Sequence, residues 1–290
     1  RTRLMNRPTP GMMRVRQSFP GGPMPKAKKK KPSRPDRGAS FEARGDSPAR
    51  PKAKARRAPR PAAPFVIPAP KMPSLPVAGE TARFPVRRIF CVGRNYAEHS
   101  REMGHDPTRE LPFFFTKDSH SLVPGGGVFP YPPISKDVHH EIELVAAVGK
   151  GGSDIPMEKA LRHIYGYAVG LDMTRRDLQG EAKKTGRPWE VGKAFAHAAL
   201  CSKIRPATKS GHPAKGLVWL KVNGDMRQKG DLAEMIWNVP EIVMHLSRLF
   251  PLSAGDLIFT GTPAGVGPVK KGDVLEGGVE GIATLKARVG

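Results

Sequence analysis

The pattern of apolar and polar positions in residues 65–290 predicts a domain rich in β-strands with a few short helices. Short runs of β-branched and aromatic residues, bounded by glycine and proline, are typical of strands. Such runs predict strands over residues 87–92, 113–116, 139–148, 164–172, 217–222, 257–260 and 282–289. Helical spacing and capping residues predict helices over residues 95–103, 157–163 and 240–250, a helix from a Thr174 cap to residue 184, and a helical turn over residues 231–237. A stretch rich in glycine and proline over residues 125–133 predicts a loop.

The order of these elements narrows the class of fold. Strands and helices do not alternate regularly, and no Gly-x-Gly-x-x-Gly motif follows a predicted strand. Dinucleotide-binding folds need both features, because the glycine turn has to join a strand to a helix. The pattern therefore favours a mixed, β-rich α+β fold.

The basic charge of the chain is concentrated ahead of this domain. The 290 residues carry a formal net charge of +23, and residues 1–64 hold 19 of the 49 Lys and Arg but only 3 of the 26 acids. This segment is rich in proline and lacks apolar periodicity, which predicts disorder. We expect residues 1–64 to be a disordered basic extension. Because the chain begins at Arg1 rather than Met, an over-extended reading of the sequence is an alternative origin.

The extension leaves a second class of function open. A basic arm can bind nucleic acid through phosphates, since such binding needs little more than Lys and Arg. The rest of the chain has a net charge of only +7, so nucleic-acid binding is the weaker interpretation.

Cysteine content and hydropathy indicate the compartment. The chain contains two cysteines, Cys91 and Cys201, which argues against a disulfide framework and fits a reducing cytosol. No apolar run approaches the length needed to cross a bilayer. We therefore expect a cytoplasmic protein without membrane contact.

Three acids form the strongest candidate for chemistry. Glu141 and Glu143 lie two residues apart in an apolar run, and both carboxylates project from one side because side chains alternate faces along a strand. Asp172 ends a second apolar run and comes alongside if the two strands are neighbours. Three oxygen ligands on strands suit a hard divalent cation such as Mg²⁺ or Mn²⁺. From spacing alone, an exposed strand face with ordinary acids is equally open.

His99 and Glu102 form a second candidate on the first predicted helix. Residues three apart on a helix lie on one face, so the Glu102 carboxylate can orient the His99 imidazole and raise its basicity. The helix follows Gly93, which allows a tight turn out of a strand, and such turns commonly present functional groups. A surface histidine beside a surface glutamate is the alternative.

Five motifs, in unbroken order within residues 65–290, resemble the fumarylacetoacetate hydrolase family. They are residues 91–96 (CVGRNY), 140–144 (HEIEL), 171–179 (LDMTRRDLQ), 219–224 (WLKVNG) and 260–267 (TGTPAGVG). The resemblance is closest to the bacterial members that cleave fumarylpyruvate. It covers residues 65–290 as a catalytic domain and leaves the basic extension out.

The resemblance implies a fold and a metal site. The fold is a β-roll, similar to the C-terminal domain of the family, with short flanking helices. The metal, Mg²⁺ or Mn²⁺, is held by Glu141, Glu143 and Asp172. A fourth acid of some members falls near Asn95 here, so we expect water to complete the shell.

The resemblance also implies roles for other side chains. His99, Glu102 and Lys193 are the implied catalytic residues, and Arg176, Gln179 and Thr262 are the implied substrate contacts. In this mechanism His99, oriented by Glu102, deprotonates a water that attacks the carbonyl distal to the carboxylate. Lys193 and the metal stabilise the pyruvate enolate that leaves.

The implied activity is metal-dependent hydrolysis of an acylpyruvate, a 2,4-diketo acid. Fumarylpyruvate, cleaved to fumarate and pyruvate in gentisate-type aromatic catabolism, is the leading substrate. Decarboxylation or isomerisation of a related keto acid, such as oxaloacetate or a homoprotocatechuate-pathway intermediate, is the alternative, because the same enolate serves both outcomes. The resemblance further implies a homodimer.

Overall fold

A computed structural model describes residues 65–102 and 110–290 of the protein. The described strands are β1 Ser74–Pro76, β2 Arg83–Pro85, β3 Arg88–Gly93, β4 Phe113–Lys117, β5 Leu122–Pro124, β6 Gly127–Phe129, β7 Val138–His140, β8 Ile142–Val148, β9 Ile164–Asp172, β10 Thr174–Arg175, β11 Ala199–Cys201, β12 Arg205–Pro206, β13 Leu217–Val222, β14 Asp225–Asp231, β15 Asp256–Phe259, β16 Gly267–Pro268, β17 Val274–Val279 and β18 Ala283–Val289. The α-helices are α1 Ala97–Glu102, α2 Arg176–Lys184, α3 Glu190–Lys193, α4 Ala207–Ser210 and α5 Val239–Leu249. Short 3₁₀ helices span Ser119–Ser121, Met157–His163 and Leu232–Glu234.

Two large sheets contain most of these strands. The larger has the order β4-β3-β15-β8-β9-β11-β5, with β12 paired to β9 beside this path. The smaller has the order β14-β13-β17-β18-β6. Neighbouring strands in both sheets are antiparallel except for three parallel pairs, β3 with β15, β5 with β11, and β6 with β18. The structure confirms the predicted β-rich α+β class.

Strand β8 lies inside the larger sheet and is buried on both faces. Leu144 and Ala146 face the main hydrophobic core, whereas Val145 and Ala147 face a second core cluster. All seven residues of β8 are buried, which explains why its sequence is continuously apolar from Leu144 to Val148 rather than alternating. Glu143 shares the face of Val145 and Ala147, so its carboxylate lies at the end of the second core cluster.

The acid-bearing run forms two strands, not the single strand that the sequence predicts. β7 pairs with β10 and β16 in a separate three-stranded sheet, whereas β8 joins the larger sheet. The chain passes from one sheet to the other at Glu141, whose carbonyl accepts the Asp172 N–H at 2.9 Å. The alternation of apolar and polar residues along the chain does not reveal this break, because side chains alternate with the same period of two residues on β7 and on β8.

One predicted helix is confirmed and one predicted cap is wrong. The helix over residues 157–163 is present with the predicted bounds, as a 3₁₀ helix. Thr174 does not cap α2, because it lies in β10 and its hydroxyl donates to the Asp172 carbonyl at 3.2 Å. Helix α2 begins two residues later, at Arg176.

Two strands, β6 and β14, form by pairing with other strands at places where the apolar and polar pattern of the sequence does not predict a strand. The predicted loop over residues 125–133 contains β6, which pairs in parallel with β18. β14 is mostly polar and pairs only with β13 at the edge of its sheet, so it needs no apolar alternation. Strand formation at both places depends on a partner distant in sequence.

Some predictions lie outside the described residues. These are the disorder of residues 1–64 and the end of the first predicted helix, of which the structure describes Ala97–Glu102. Among the residues that are described, no helix is both long and apolar enough to span a membrane.

Candidate active site

The three acids predicted as metal ligands lie together at one end of the larger sheet. Glu143 is on β8, Asp172 ends the adjacent strand β9, and Glu141 directly precedes β8. Each side chain offers an oxygen, and these oxygens lie within 4.8 Å of one another. All three residues are buried. This carboxylate cluster, defined as Glu141, Glu143 and Asp172, could hold a metal ion.

Three basic side chains contact the carboxylate cluster. Lys193 Nζ lies between two of the acids, 2.7 Å from Glu141 Oε2 and 2.8 Å from Asp172 Oδ2. Lys117 Nζ lies 2.7 Å from Asp172 Oδ1, and Arg176 Nη2 donates to Glu141 Oε1. We call Lys117, Arg176 and Lys193 the contact cations. Because they match the carboxylates in number, the contact cations balance the charge of the cluster when all three acids are ionised.

The carboxylates differ in their affinity for protons. Burial by itself would raise the pKa of Glu141, but Lys193 and Arg176 outweigh it and hold that pKa below its ordinary value. Burial, followed by the charges of Asp172 and Glu141, raises the pKa of Glu143 well above its ordinary value. Burial would lower the pKa of Lys193, but Asp172 and Glu141 outweigh it and raise that pKa. An additional positive charge would therefore act mainly on Glu143, by favouring its ionised form.

Helices α2 and α3 bring Arg176 and Lys193 to the cluster. Their close approach requires Gly192, because a Cβ atom there would lie 2.9 Å from Gln179 Cβ. Arg176 and Gln179 lie three residues apart on α2, and Arg176 Nη1 donates to Gln179 Oε1 at 2.7 Å. Arg176 Nε is buried and has no hydrogen-bond partner among the described residues. Gln179 thus holds the guanidinium while one of its donors stays available.

The loop after β15 forms another side of the site. The Gly261 N–H donates to Glu143 Oε2 at 2.7 Å, from a backbone with φ at 97° that favours glycine. The Thr262 hydroxyl donates to the Ile142 carbonyl and accepts from Gln228 Nε2, both at 2.8 Å. Thr262 is therefore held in place, with its hydroxyl hydrogen already used within the protein.

Asn95 is the position nearest to the fourth acid of some family members. Its side-chain amide is hydrogen-bonded to backbone groups of the protein. Its Nδ2 donates to the carbonyls of Trp237 and Thr260 at 2.8 and 2.7 Å. Its Oδ1 accepts the Trp237 N–H at 2.8 Å, and the residue is fully buried. Because backbone groups occupy the whole amide, Asn95 joins the first helix to two loops and does not point a free oxygen towards the cluster.

His99 lies on α1, is buried, and faces the same cavity as the carboxylate cluster. Its proximity adds to the lowering of the Glu141 pKa, after the larger effects of Lys193 and Arg176, which together outweigh burial. Glu102 is the last residue of α1, but its side chain lies outside the described part of the chain. The structure thus brings His99 to the site, and its pairing with Glu102 stays a prediction.

One cavity brings the predicted site residues together. Its walls include His99, Glu141, Glu143, Asp172, Arg176, Gln179, Lys193 and Thr262. The cavity is partly open to solvent, so a small molecule can approach these side chains.

The site also contains residues that the sequence pattern did not indicate. Arg94, Lys183 and Trp189 line the cavity, and Lys117 contacts Asp172. A signal was present for Lys183, because it lies seven residues after Arg176 and so two helical turns along the same face of α2. Lys117 follows an apolar run and carries no pattern that separates it from a surface lysine.

This β-rich fold with a buried carboxylate cluster in a cavity has the features of a metal-dependent enzyme. Comparison with known proteins identifies the family. The model of the fumarylacetoacetate hydrolase C-terminal family matches residues 88–290. The chain belongs to the fumarylacetoacetate hydrolase family.

Three relatives show how the family has diverged. The crystal structure of fumarylpyruvate hydrolase from Pseudomonas aeruginosa in complex with Mn²⁺ and pyruvate has a TM-score of 0.76 and 50% identity, and the match covers 78% of this chain and 99% of that chain. Fumarylpyruvate hydrolase from Ralstonia sp is 46% identical over 185 residues, 64% of this chain and 96% of the relative. Mitochondrial oxaloacetate tautomerase FAHD1 of Mus musculus is 42% identical over 203 residues, 70% of this chain and 91% of the relative.

Proposed function

We propose that this protein is a metal-dependent hydrolase that cleaves the C–C bond of acylpyruvates, with fumarylpyruvate as its leading substrate. The products are fumarate and pyruvate. The observation that carries the proposal is the charge of the site: three buried carboxylates, two of which form ion pairs with the three contact cations, line a cavity that also contains His99. The identity of 46–50% to two fumarylpyruvate hydrolases supports the choice of substrate.

The charge of the site favours a particular kind of ligand. Once metal binding has ionised Glu143, the carboxylate cluster and its contact cations sum to zero, so the loaded site carries the two positive charges of a divalent cation in excess. Such a site favours a ligand with two neighbouring negative oxygens. The enolate of a 2-keto acid has this charge distribution, since its carboxylate and its enolate oxygen lie side by side.

The donor set fits Mg²⁺ or Mn²⁺. Glu141, Glu143 and Asp172 provide only carboxylate oxygens, which hard divalent cations prefer. When bound, the ion would serve as a Lewis acid that polarises a carbonyl oxygen of the substrate.

The protein's own residues would move the protons. His99, oriented by Glu102, takes a proton from water while the water oxygen attacks the carbonyl carbon distal to the pyruvoyl carboxylate. The C–C bond then breaks, and its electron pair passes to the leaving group as the pyruvate enolate. Protonated His99 returns its proton to the enolate carbon, which gives pyruvate and the free acyl acid.

Lys193 and Arg176 would stabilise the negative charge that develops. The Lys193 ammonium is kept protonated by its neighbours Asp172 and Glu141, at 2.8 and 2.7 Å, so it presents a fixed positive charge next to the reacting oxygens. Arg176 offers its buried Nε to a substrate oxygen while Gln179 holds its Nη1.

Tautomerisation or decarboxylation of oxaloacetate is the second candidate. It passes through a similar enolate, and the 42% identity to an oxaloacetate tautomerase supports it. The two functions differ in one requirement, because only the hydrolase needs a water positioned by His99.

A substrate panel tests the proposal. Purified full-length protein, supplied with Mn²⁺ or Mg²⁺, should bleach the ultraviolet absorbance of fumarylpyruvate and form pyruvate, and a chelator should abolish both. Oxaloacetate should turn over more slowly at the same enzyme concentration. Turnover of oxaloacetate without cleavage of fumarylpyruvate or acetylpyruvate would reject the hydrolase and support the second candidate.

A further inference from the structure

The face of α2 that carries Arg176 and Gln179 continues to Lys183. Lys183 lies seven positions after Arg176, so the two side chains share a face about 10 Å apart along the helix axis. Side chains on helices lean towards the helix N-terminus, which directs Lys183 back towards Arg176. Both residues line the cavity.

An aromatic wall supports the Lys183 ammonium. Lys183 Nζ lies 5.0 Å from the centre of the Trp189 ring. Trp189 packs edge-on against Phe113, with ring centres 5.1 Å apart, and against Phe115 at 5.8 Å. Arg94 lies over the other end of this wall, with its guanidinium carbon 5.6 Å from the Phe113 ring centre. The wall therefore holds two cations at the side of the cavity.

Lys183 forms no salt bridge within residues 65–102 and 110–290, and the Glu141 carboxylate acts on it only at longer range. Its ammonium contacts the Trp189 ring, whereas the Arg176 and Lys193 cations of the same cavity contact carboxylates. Partial burial, followed by the charges of Arg176 and Arg94, lowers the pKa of Lys183 to about 8. The positive charge around this ammonium would thus be relieved by an anion bound beside it.

We propose that Lys183 binds the distal carboxylate of a dicarboxylic acylpyruvate, and so makes the site selective for acyl groups that end in a carboxylate. The inference rests on the proposed function, since the pyruvoyl end of the substrate lies at the carboxylate cluster. Arg94 flanks the same wall and contributes positive charge. Trp189 packs against the unsaturated acyl chain and holds the lysine.

The length of the substrate decides which acids can use this contact. Fumarylpyruvate places five carbons between its carboxylates, so one end can reach Lys183 while the other stays at the cluster. Oxaloacetate places only two carbons between its carboxylates, so both remain close to the cluster. Acetylpyruvate has no second carboxylate. Lys183 should therefore distinguish the first acid from the other two.

The test compares Lys183→Met, Lys183→Arg and Lys184→Met with the wild type. Lys184 is the matched control, because it is the next residue of α2, is exposed and does not line the cavity. Lys183→Met should lower kcat/KM for fumarylpyruvate roughly 10- to 100-fold, mainly through KM, because a charge-assisted hydrogen bond is lost. Acetylpyruvate turnover should change less than about twofold, Lys183→Arg should recover most of the loss, and Lys184→Met should behave as wild type.

A binding measurement separates this inference from the proposed function. Metal-loaded wild type should bind fumarate more tightly than crotonate, its monocarboxylate counterpart, in calorimetry, and Lys183→Met should remove the difference. An equal loss of kcat/KM for fumarylpyruvate and acetylpyruvate, or unchanged fumarate binding, would overturn the role of Lys183. Absence of all acylpyruvate cleavage by the wild type, with the fumarate preference intact, would instead reject the proposed function.

Discussion

Lys117 and Asp172 form an ion pair in which the two charged atoms, Nζ and Oδ1, lie 2.7 Å apart and neither side chain is exposed to solvent. The same ammonium donates to the carbonyls of Met173, at 3.1 Å, and Lys193. One side chain of β4 thus fixes a predicted metal ligand, the turn after β9 and the end of α3. Lys117 positions the site and does not line the cavity.

Replacing Lys117 with Met should destabilise the metal-free protein strongly. The change leaves Asp172 buried with one cation fewer, and removal of one partner from a buried pair costs about 3 to 5 kcal/mol. Saturating Mn²⁺ should restore part of the loss, because the bound ion supplies positive charge to the same carboxylate. Urea unfolding with and without Mn²⁺ measures both effects.

The exposed Lys159 provides a control for Lys117. Lys159→Met should change the free energy of unfolding by less than about 0.5 kcal/mol and should not alter the Mn²⁺ effect. An equal loss in the free energy of unfolding for Lys117→Met and Lys159→Met would show that the buried ion pair does not stabilise the protein.

Metal affinity should rise with pH because of Glu143. Its pKa is raised above 4.5 in the metal-free protein, first by burial and then by Asp172 and Glu141. A raised pKa means that this carboxyl stabilises the metal-free fold below about pH 4.5, and that the contribution is lost as pH rises through the raised value. Binding of a divalent cation requires the ionised form, so the proton competes with the metal.

Calorimetry in buffers of different ionisation enthalpy measures this competition. Mn²⁺ binding at mildly acidic pH should release close to one proton, and the apparent Kd should fall as pH rises. A proton release of zero together with a pH-independent Kd would contradict the raised pKa of Glu143.

Substitutions at Glu141 and His99 should separate metal binding from proton transfer. Glu141→Ala removes an oxygen of the carboxylate cluster and should abolish both Mn²⁺ binding and turnover. His99→Ala should keep the Kd for Mn²⁺ within about threefold and lower kcat by about 100-fold or more, since general base catalysis is lost. Full activity of Glu141→Ala would refute the metal assignment.

Replacing Asn95 with Asp should destabilise the fold and should not strengthen metal binding. The amide donates to two carbonyl oxygens, of Trp237 and Thr260, and a carboxylate in its place would face both without a proton to donate. We expect a loss of about 3 kcal/mol in urea unfolding. Tighter Mn²⁺ binding in this variant would instead identify residue 95 as a fourth ligand position.

Asn238 is the control for this substitution. Its Oδ1 accepts the Glu241 N–H as the N-cap of α5, and aspartate preserves that hydrogen bond. Asn238→Asp should therefore leave the free energy of unfolding nearly unchanged.

Local sequence signals predicted the framework of the fold well. β9 begins and ends at the predicted residues, and α5 begins at the predicted proline turn with Asn238 as its cap. These elements carry their own information, as an apolar run in β9 and a capping box with a proline in α5. The break between β7 and β8 at Glu141 has no such local signal, because it arises when the two strands pair with partners in different sheets.

The sequence by itself predicted Glu141, Glu143, Asp172 and His99 as site residues, from the spacing of the two glutamates and from local family motifs, and the structure places all four around one cavity. The tertiary structure decided what surrounds them. Lys117, from β4, and Lys183, from the far end of α2, reach the site only because strands and helices distant in sequence pack together. Burial then sets the charges, raising the pKa of Glu143 and lowering that of Glu141 although the two residues are identical in type. The physical reason is that the free energy of a charge depends on its distance from other charges and from water, which only the folded chain defines.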